Sequence, residues 1–316
     1  VGGPVVKVVV TGGAGFIGAN LCRALAQRPE VTGVVALDDL STGTRANLEG
    51  VTGVTLVEGS ILDPARLDAV LGGCAAVVHL AARPSVPRSL TDPMASHLTN
   101  ATGTMEVLEA ARRAGGPQVV VASSSSVYGA NPALPKREDM ATLPVSPYAA
   151  GKLAAEAATL AYGHSFGLPT LAFRFFNVFG PLQAADHAYA AVVPAFVAAA
   201  LRDEPIPVHG DGLQTRDFTY VGTVAAVLTD AVLRRVTAPG PVNLAFGTRI
   251  SLLDLVGRLE AILGRPLPRA HREPRAGDVR DSQADTSRLR ALFPEVQPVE
   301  LEAGLQATVD WFRGLP

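Results

Sequence analysis

The sequence predicts an α/β protein: a doubly wound parallel sheet followed by a smaller α/β lobe. Three observations predict it. Short β-branched runs alternate with helical patterns through about residue 175, the grammar of a parallel sheet covered on both faces. The first run ends in a glycine-rich turn that opens directly into a helix. Beyond about residue 176, helical patterns over Ala191–Leu201, Val221–Leu233, Leu252–Leu263 and Leu301–Phe312 are separated by Pro- and Gly-rich connections with only short strand-like pieces, Ile206–His209 and Val242–Ala245. The chain divides on this reading into 1–176 and 177–316, with part of 219–248 returning to the first half.

A chain of 316 residues, 48% hydrophobic and 18% charged, buries a sizeable core in one large domain or two lobes. A net charge of −2 gives no electrostatic case for nucleic acid or an anionic membrane. Two cysteines, Cys22 and Cys74, make no disulfide framework. No apolar run approaches the ~18 residues of a membrane span, and no signal pattern precedes the first strand. A cytoplasmic setting is expected, and no metal site.

Val5–Val10 is a strand buried on both faces. It runs into Thr11–Gly18, whose glycines Gly12, Gly15 and Gly18 are spaced G-x-x-G-x-x-G, and then into a helix from Ala19 to Gln27. Strand, glycine turn and helix together form a cradle for a dinucleotide pyrophosphate: backbone N–H groups approach closely and the helix N-terminus faces the phosphates. The strand Val34–Leu37 ends at Asp38 and Asp39. Asp38, twenty residues after Gly18, is placed to accept from adenosine ribose hydroxyls and to repel a 2′-phosphate, so NAD is expected rather than NADP. Ser41, Thr42 and Gly43 follow as a polar loop.

Val54–Val57 is the third strand, Ser60 and Ile61 lie in the turn after it, and Asp63-Pro64 starts a helix to Leu71. The fourth strand, Ala76–Leu80, holds a packed core histidine, His79, and ends in Leu80-Ala81-Ala82, small enough for a cofactor to pass. The loop from Arg83 to Ser89 leaves the carboxyl edge of the sheet. A long helix over Ser96–Ala114 leads to the fifth strand, Gln118–Ala122, which delivers the serines 123–126. Ser146 caps the next helix and Pro147 occupies its first position. Tyr148 and Lys152, at i and i+4, share a face of that helix about 6 Å apart along its axis. A phenol beside an ammonium can work as a base near neutrality. Thr170–Phe173 is the sixth strand.

These residues resemble the extended short-chain dehydrogenase/reductase family over essentially the whole chain. T-G-G-A-G-F-I-G at Thr11–Gly18, L-D-D-L-S-T-G at Leu37–Gly43, H-L-A-A at His79–Ala82, S-S-S-V-Y-G at Ser124–Gly129 and Y-A-A-G-K at Tyr148–Lys152 stand in order. R-F-F-N-V-F-G-P at Arg174–Pro181, Y-A-A-V-V-P at Tyr189–Pro194, G-D-G-L-Q-T-R-D-F at Gly210–Phe218 and P-R-A-G-D-V-R at Pro274–Arg280 are similar to the NAD-dependent UDP-sugar 4-epimerases within it. The resemblance implies a Rossmann-type NAD domain with a substrate-binding lobe, and a homodimer. It implies NAD contacts at Gly12, Gly15, Phe16, Ile17, Gly18, Asp38, Asp39, Ser41, Thr42, Gly43, Ser60, Ile61, Leu80, Ala81, Ala82, Tyr148, Lys152 and Phe175. It implies catalysis by Ser124, Tyr148 and Lys152. The UDP sugar would meet Ser85, Val86, Arg88, Ser124, Ser125, Ser126, Tyr148, Asn177, Val193, Arg216, Arg275 and Asp278.

Related dehydratases carry an acid just before V-Y-G, where this chain has Ser125 and Ser126. Elimination loses its catalyst, and oxidation followed by rereduction at C4 remains. Ser60 also departs from the family, which commonly has Asp there. Arg83 and Arg88 could meet a sugar C6 carboxylate, so the expected reaction leans to UDP-glucuronate or to broad use of UDP-glucose and UDP-N-acetylglucosamine. The alternatives are an NAD(P)H-dependent 4-ketosugar reductase, a nucleotide-sugar dehydratase and a non-catalytic NAD sensor.

Overall fold

Val8, Val9 and Val10 are all fully buried. Val8 and Val10 pack into the core on one face of a sheet and Val9 into the core on the other, as the two-residue period of a strand requires. They belong to β1 (Val6–Thr11) in the computed structural model, which describes residues 6–185, 190–273 and 279–315. With β2 (Val31–Asp38), β3 (Val54–Glu58), β4 (Ala76–His79), β5 (Gln118–Ser124), β6 (Thr170–Phe175), β7 (Asn177–Phe179), β8 (Ile206–His209), β9 (Thr215–Arg216), β10 (Phe218–Tyr220) and β11 (Val242–Leu244), the main sheet has seven strands in the order β11-β6-β5-β4-β1-β2-β3. Every pairing in it is parallel. The strand order reverses at β1, between β4 and β2, the switch point where open α/β sheets bind ligands.

The helices are α1 (Phe16–Ala26), α2 (Pro64–Leu71), α3 (Val86–Thr91), α4 (Pro93–His97), α5 (Gly103–Arg113), α6 (Pro147–Phe166), α7 (Val192–Leu201), α8 (Val221–Leu233), α9 (Leu252–Leu263), α10 (Ser287–Leu292) and α11 (Leu301–Arg313). Leu21, Cys22 and Leu25 of α1 share one core with Val224, Leu228 and Val232 of α8. Leu67 and Leu71 of α2 and Val107 and Leu108 of α5 share the core on the opposite face. A separate core joins Val193, Phe196 and Val197 of α7, Leu255, Val256 and Leu259 of α9, and Leu305 and Val309 of α11. It covers the parallel pair of β8 with β13 (Arg269–Arg272). Beside it lie the pair β7–β10 and an antiparallel pair of β9 with β12 (Ile250–Ser251).

The helix expected over Ser96–Ala114 forms: helical backbone runs without interruption from Pro93 to Arg113, with a local widening inside it. Asp92 caps Ala95, and Leu98–Thr102 forms a wider, π-type turn between α4 and α5. In that turn Asn100 accepts from the Arg83 backbone N–H at 2.8 Å and donates to the Arg83 carbonyl at 3.1 Å. A single amide thus holds the loop that leaves β4.

His79 is a packed core residue. It is 3% exposed, with Thr11 Oγ1 at 2.7 Å from Nδ1 and Thr104 Oγ1 at 3.0 Å from Nε2. Burial, aided by the Lys152 charge, pushes its pKa down to about 3. The unfolded chain binds a proton here below about pH 6.5 that the folded chain refuses until about pH 3, so stability falls as pH drops through that window. His79→Gln should flatten the slope of unfolding free energy between pH 7 and pH 4 by up to ~1.4 kcal/mol per pH unit. Urea titrations at pH 7, 5.5 and 4 read it, and an unchanged slope would contradict a neutral buried imidazole.

Candidate active site

The strand ends that define the site share one edge of the sheet. Thr11 is in register with Leu37 and His79, Asp38 with Glu58, and Ser124 with Phe175. Above this edge lies a cavity of about 600 Å³. Its walls include Gly12, Gly15, Phe16, Ile17 and Gly18 from the first turn, Asp38, Asp39, Ser41 and Thr42 after β2, and Ser60 and Ile61 after β3. Leu80, Ala81, Ala82 and Ser85 line it after β4, together with Ser124, Tyr148, Lys152 and Phe175. Asn177, Val193 and Arg216 line its far side.

The glycine turn is built for close approach. Gly12 has φ +70°, and a Cβ there would lie 2.7 Å from the Ala81 backbone nitrogen. A Cβ on Gly18 would collide with the Gly12 carbonyl and stand 2.8 Å from the Gly13 Cα. No side chain caps α1, and its first turn carries no acid, so its N-terminal N–H groups and dipole are left for an anionic ligand. Asp38, 7% exposed, accepts from Ala14 N–H at 2.9 Å and from Leu40 N–H at 2.8 Å. Those bonds leave further lone pairs on each carboxylate oxygen. Burial raises its pKa against these backbone bonds. This cradle and acid fit the pyrophosphate and ribose of a dinucleotide. Gly18→Ala should cut dinucleotide retention by about 100-fold or more, because the collision is with backbone. Cofactor release from purified protein measures it, and wild-type retention would show that the turn yields.

Ser146 accepts from Ala149 N–H at 3.2 Å and Pro147 stands in the first turn of α6. Lys152, 6% exposed, donates to the Ala122 carbonyl at 2.8 Å, and burial pushes its pKa down to about 8. Burial raises the Tyr148 phenol, while a hydrogen bond with Ser124 works the other way. The phenol is therefore not lowered as the Tyr–Lys pairing led one to expect. Desolvation penalises the phenolate and outweighs the hydrogen bond that favours it.

Helix α6 also carries Glu156, four residues beyond Lys152. It is 3% exposed and accepts from Ser123 Oγ at 2.7 Å and from Arg174 at 2.6 and 2.9 Å. Arg174 lies 4.7 Å over the Tyr128 ring, and Tyr128 donates to Asn243 Oδ1 at 2.6 Å. This buried network ties α6 to the ends of β5 and β6.

A second chamber of about 250 Å³ adjoins the first and shares Ser124, Phe175, Phe176, Asn177 and Arg216 with it. Val86, Ser125 and Ser126 line this chamber rather than the main cavity. Gly43 lines neither; its Cα packs against the Ala14 backbone, where a Cβ would lie 2.7 Å away. Arg88 also lines neither, and Arg83 pairs with Asp92 at 3.3 Å. Arg275 and Asp278 lie outside the described residues, as does Tyr189 of the Tyr189–Pro194 motif.

The sequence reading missed several lining residues: Thr99, Gln183 and Gln214 in the main cavity and Lys136 in the chamber. Gln183 Oε1 and Gln214 Oε1 are buried without a partner, acceptors that a ligand would satisfy. Thr99 sits in the π-type turn, which no periodicity announces. Lys136 looks like an ordinary loop lysine in the sequence.

The family pattern described as "NAD dependent epimerase/dehydratase family" matches residues 8–245. A UDP-glucose 4-epimerase of Mycolicibacterium smegmatis is 38% identical over 97% of this chain and 98% of its own. The structure of a UDP-N-acetylglucosamine 4-epimerase from Methanobrevibacter ruminantium, in complex with UDP-N-acetylmuramic acid, superposes with TM-score 0.92 at 35% identity, covering 98% of this chain and 99% of the other. That of a UDP-glucuronic acid 4-epimerase from Bacillus cereus, in complex with UDP-glucuronic acid and NAD, superposes with TM-score 0.89 at 31% identity, covering 97% and 99%. Dehydratases also stand among the similar structures, including a dTDP-glucose 4,6-dehydratase from Streptomyces venezuelae with NAD bound.

Proposed function

The chain belongs to the NAD dependent epimerase/dehydratase family, and on that premise we propose that it is an NAD-dependent UDP-hexose 4-epimerase. The observation that carries this reading is the wall beside Ser124. Ser125 and Ser126 offer hydroxyls there, and an elimination needs an acid. Among the described lining residues of the chamber the carboxylate is Asp281, and it is committed elsewhere. It accepts from Thr215 Oγ1 at 2.6 Å and faces Arg249 at 3.4 Å, contacts that hold its pKa down.

Bound NAD supplies the hydride acceptor and donor. Tyr148 takes the proton of the sugar C4 hydroxyl, directly or through Ser124, and later returns it. Lys152 would hold the nicotinamide ribose and, with two ammonium donors beyond the one given to Ala122, would supply positive charge to the phenol. Arg216, with Asn177 and Val193, holds the diphosphate and uridine, so remote binding energy positions the reacting carbon. Gln183 and Gln214 supply acceptors to the same nucleotide. The 4-keto sugar turns about its diphosphate linkage and presents its other face. Arg275 and Asp278 enter this proposal on their motif alone.

Purified protein without added cofactor should invert C4 of UDP-glucose, UDP-N-acetylglucosamine or UDP-glucuronate, read by proton NMR. Inversion of none of them would leave a non-catalytic binder, and steady consumption of NAD(P)H with an added UDP-4-ketohexose would make the protein a ketosugar reductase.

We also propose a homodimer. Leu90, Met94, Leu98, Met105 and Phe166 are exposed along α3 to α6, Met94 by 65% and Phe166 by 57%, and a second copy would cover them. Sedimentation should show twice the chain mass; a monomer at micromolar concentration would contradict it. Two buried free thiols, Cys22 and Cys74, fit the cytoplasmic setting that goes with this reading. Among the described residues, no helix is long and apolar enough to cross a membrane.

A further inference from the structure

We propose that the chamber beside Ser124 seats a carboxylate carried by the sugar, and that Lys136 selects for it. The proposal rests on the 4-epimerase reading and narrows its substrate to acidic UDP sugars.

The chamber opens off the main cavity through residues common to both, Ser124 and Arg216 among them. A substituent on the reacting sugar therefore reaches it without leaving the site. Lys136 lines the chamber and is 4% exposed. Its backbone is pinned on both sides: its N–H donates to the Gln283 carbonyl at 2.7 Å, and its own carbonyl accepts from Asp285 N–H at 2.9 Å and Asn243 Nδ2 at 2.8 Å. Its ammonium donates to the Asn131 carbonyl. A carbonyl uses one of three ammonium donors and leaves the charge uncompensated. Among the described residues no carboxylate pairs with it; Asp281, which shares the chamber, is held by Thr215 and Arg249. A buried ammonium without a counter-charge is costly. An arriving carboxylate offsets that cost, and the short side chains of Ser125 and Ser126 leave room and add hydroxyl donors.

The chemistry limits where the carboxylate stands on the sugar. C4 sits against Ser124 and Tyr148, and its ring neighbours are C3 and C5. The groups able to enter are the C6 carboxylate of a uronate, carried on C5, or an acid linked through oxygen to C3. The hydroxymethyl of a neutral hexose leaves the ammonium unpaired. Arg83 and Arg88, the cations that sequence position favours, line neither cavity.

The test compares wild type, Lys136→Met and Lys136→Arg on UDP-glucose, UDP-glucuronate and UDP-N-acetylmuramate, following C4 inversion by proton NMR. Wild type should favour at least one acidic sugar over UDP-glucose by about tenfold or more in kcat/KM. Lys136→Met should abolish most of that preference, a fall of about tenfold in the ratio, chiefly through KM, and Lys136→Arg should restore much of it. Each ratio is measured on one preparation, so losses to misfolding cancel. Preference for UDP-glucuronate places the carboxylate on the C5 side, and preference for UDP-N-acetylmuramate on the C3 side. An unchanged ratio in Lys136→Met, or a wild type that inverts UDP-glucose and neither acid, overturns the proposal and leaves the epimerase standing. Inversion of none of the three overturns both.

Discussion

Tyr148→Phe should lose at least about 10³-fold in turnover while the protein keeps its NAD. The phenyl ring fills the same space on α6 as the phenol, so packing is preserved and the loss is that of one oxygen. That oxygen shares a hydrogen bond with Ser124, at the end of β5, and lies on the helix face that carries Lys152. Burial raises the phenol, so the free site resists forming a phenolate on its own. The proposed mechanism therefore calls on the charge of Lys152, a group that burial has brought to a pKa of about 8. Single-turnover NMR and the nucleotide released on denaturation measure the two halves of the prediction. Turnover within tenfold of wild type would remove Tyr148 from the chemistry, and loss of NAD would make its role structural.

Glu156→Ala should lower the melting temperature by roughly 10 °C and take activity down with it. The substitution leaves the Arg174 guanidinium, 3% exposed, without the carboxylate that takes two of its N–H groups. Breaking a buried pair from one side costs about 3–5 kcal/mol, far more than an exposed pair, because the surviving charge stays desolvated. Activity follows stability because of where the pair sits. Glu156 also receives Ser123, the neighbour of Ser124. One carboxylate thereby ties the helix that carries Tyr148 to the strand that carries Ser124. Glu156→Gln keeps one acceptor and should be milder. A fall of less than about 2 °C in the alanine variant would show that water or relaxation rescues Arg174.

The main sheet and the helix that carries Tyr148 and Lys152 were legible because their signals are local. Val8 to Val10, the glycine turn, Asp38, and Ser146-Pro147 before Tyr148 each announce a conformation within a few residues, and the structure forms each of them. What stayed hidden depends on partners distant in sequence. Nothing near Asn100 states that its amide will hold Arg83, so the π-type turn within the Ser96–Ala114 helix had no sequence signal. Lys136 becomes notable only when Gln283, Asp285 and Asn243 close around its backbone. Arg88 read as a ligand for its charge, and it lines neither cavity. The expected sense of the Tyr148 shift failed because spacing along a helix shows proximity and says nothing of desolvation.

The last strand of the main sheet, β11, arrives late. It pairs with β6 only after roughly seventy further residues have been made, and α8, which covers α1, comes just before it. At ribosomal rates of about 5–20 residues per second, the nascent chain waits several seconds with β6 as an open edge and the apolar side of α1 bare. The nucleotide half therefore cannot mature ahead of the rest. Its completion is timed to the synthesis of the lobe that follows, and a premature stop before residue 242 would release a sticky fragment rather than a working half.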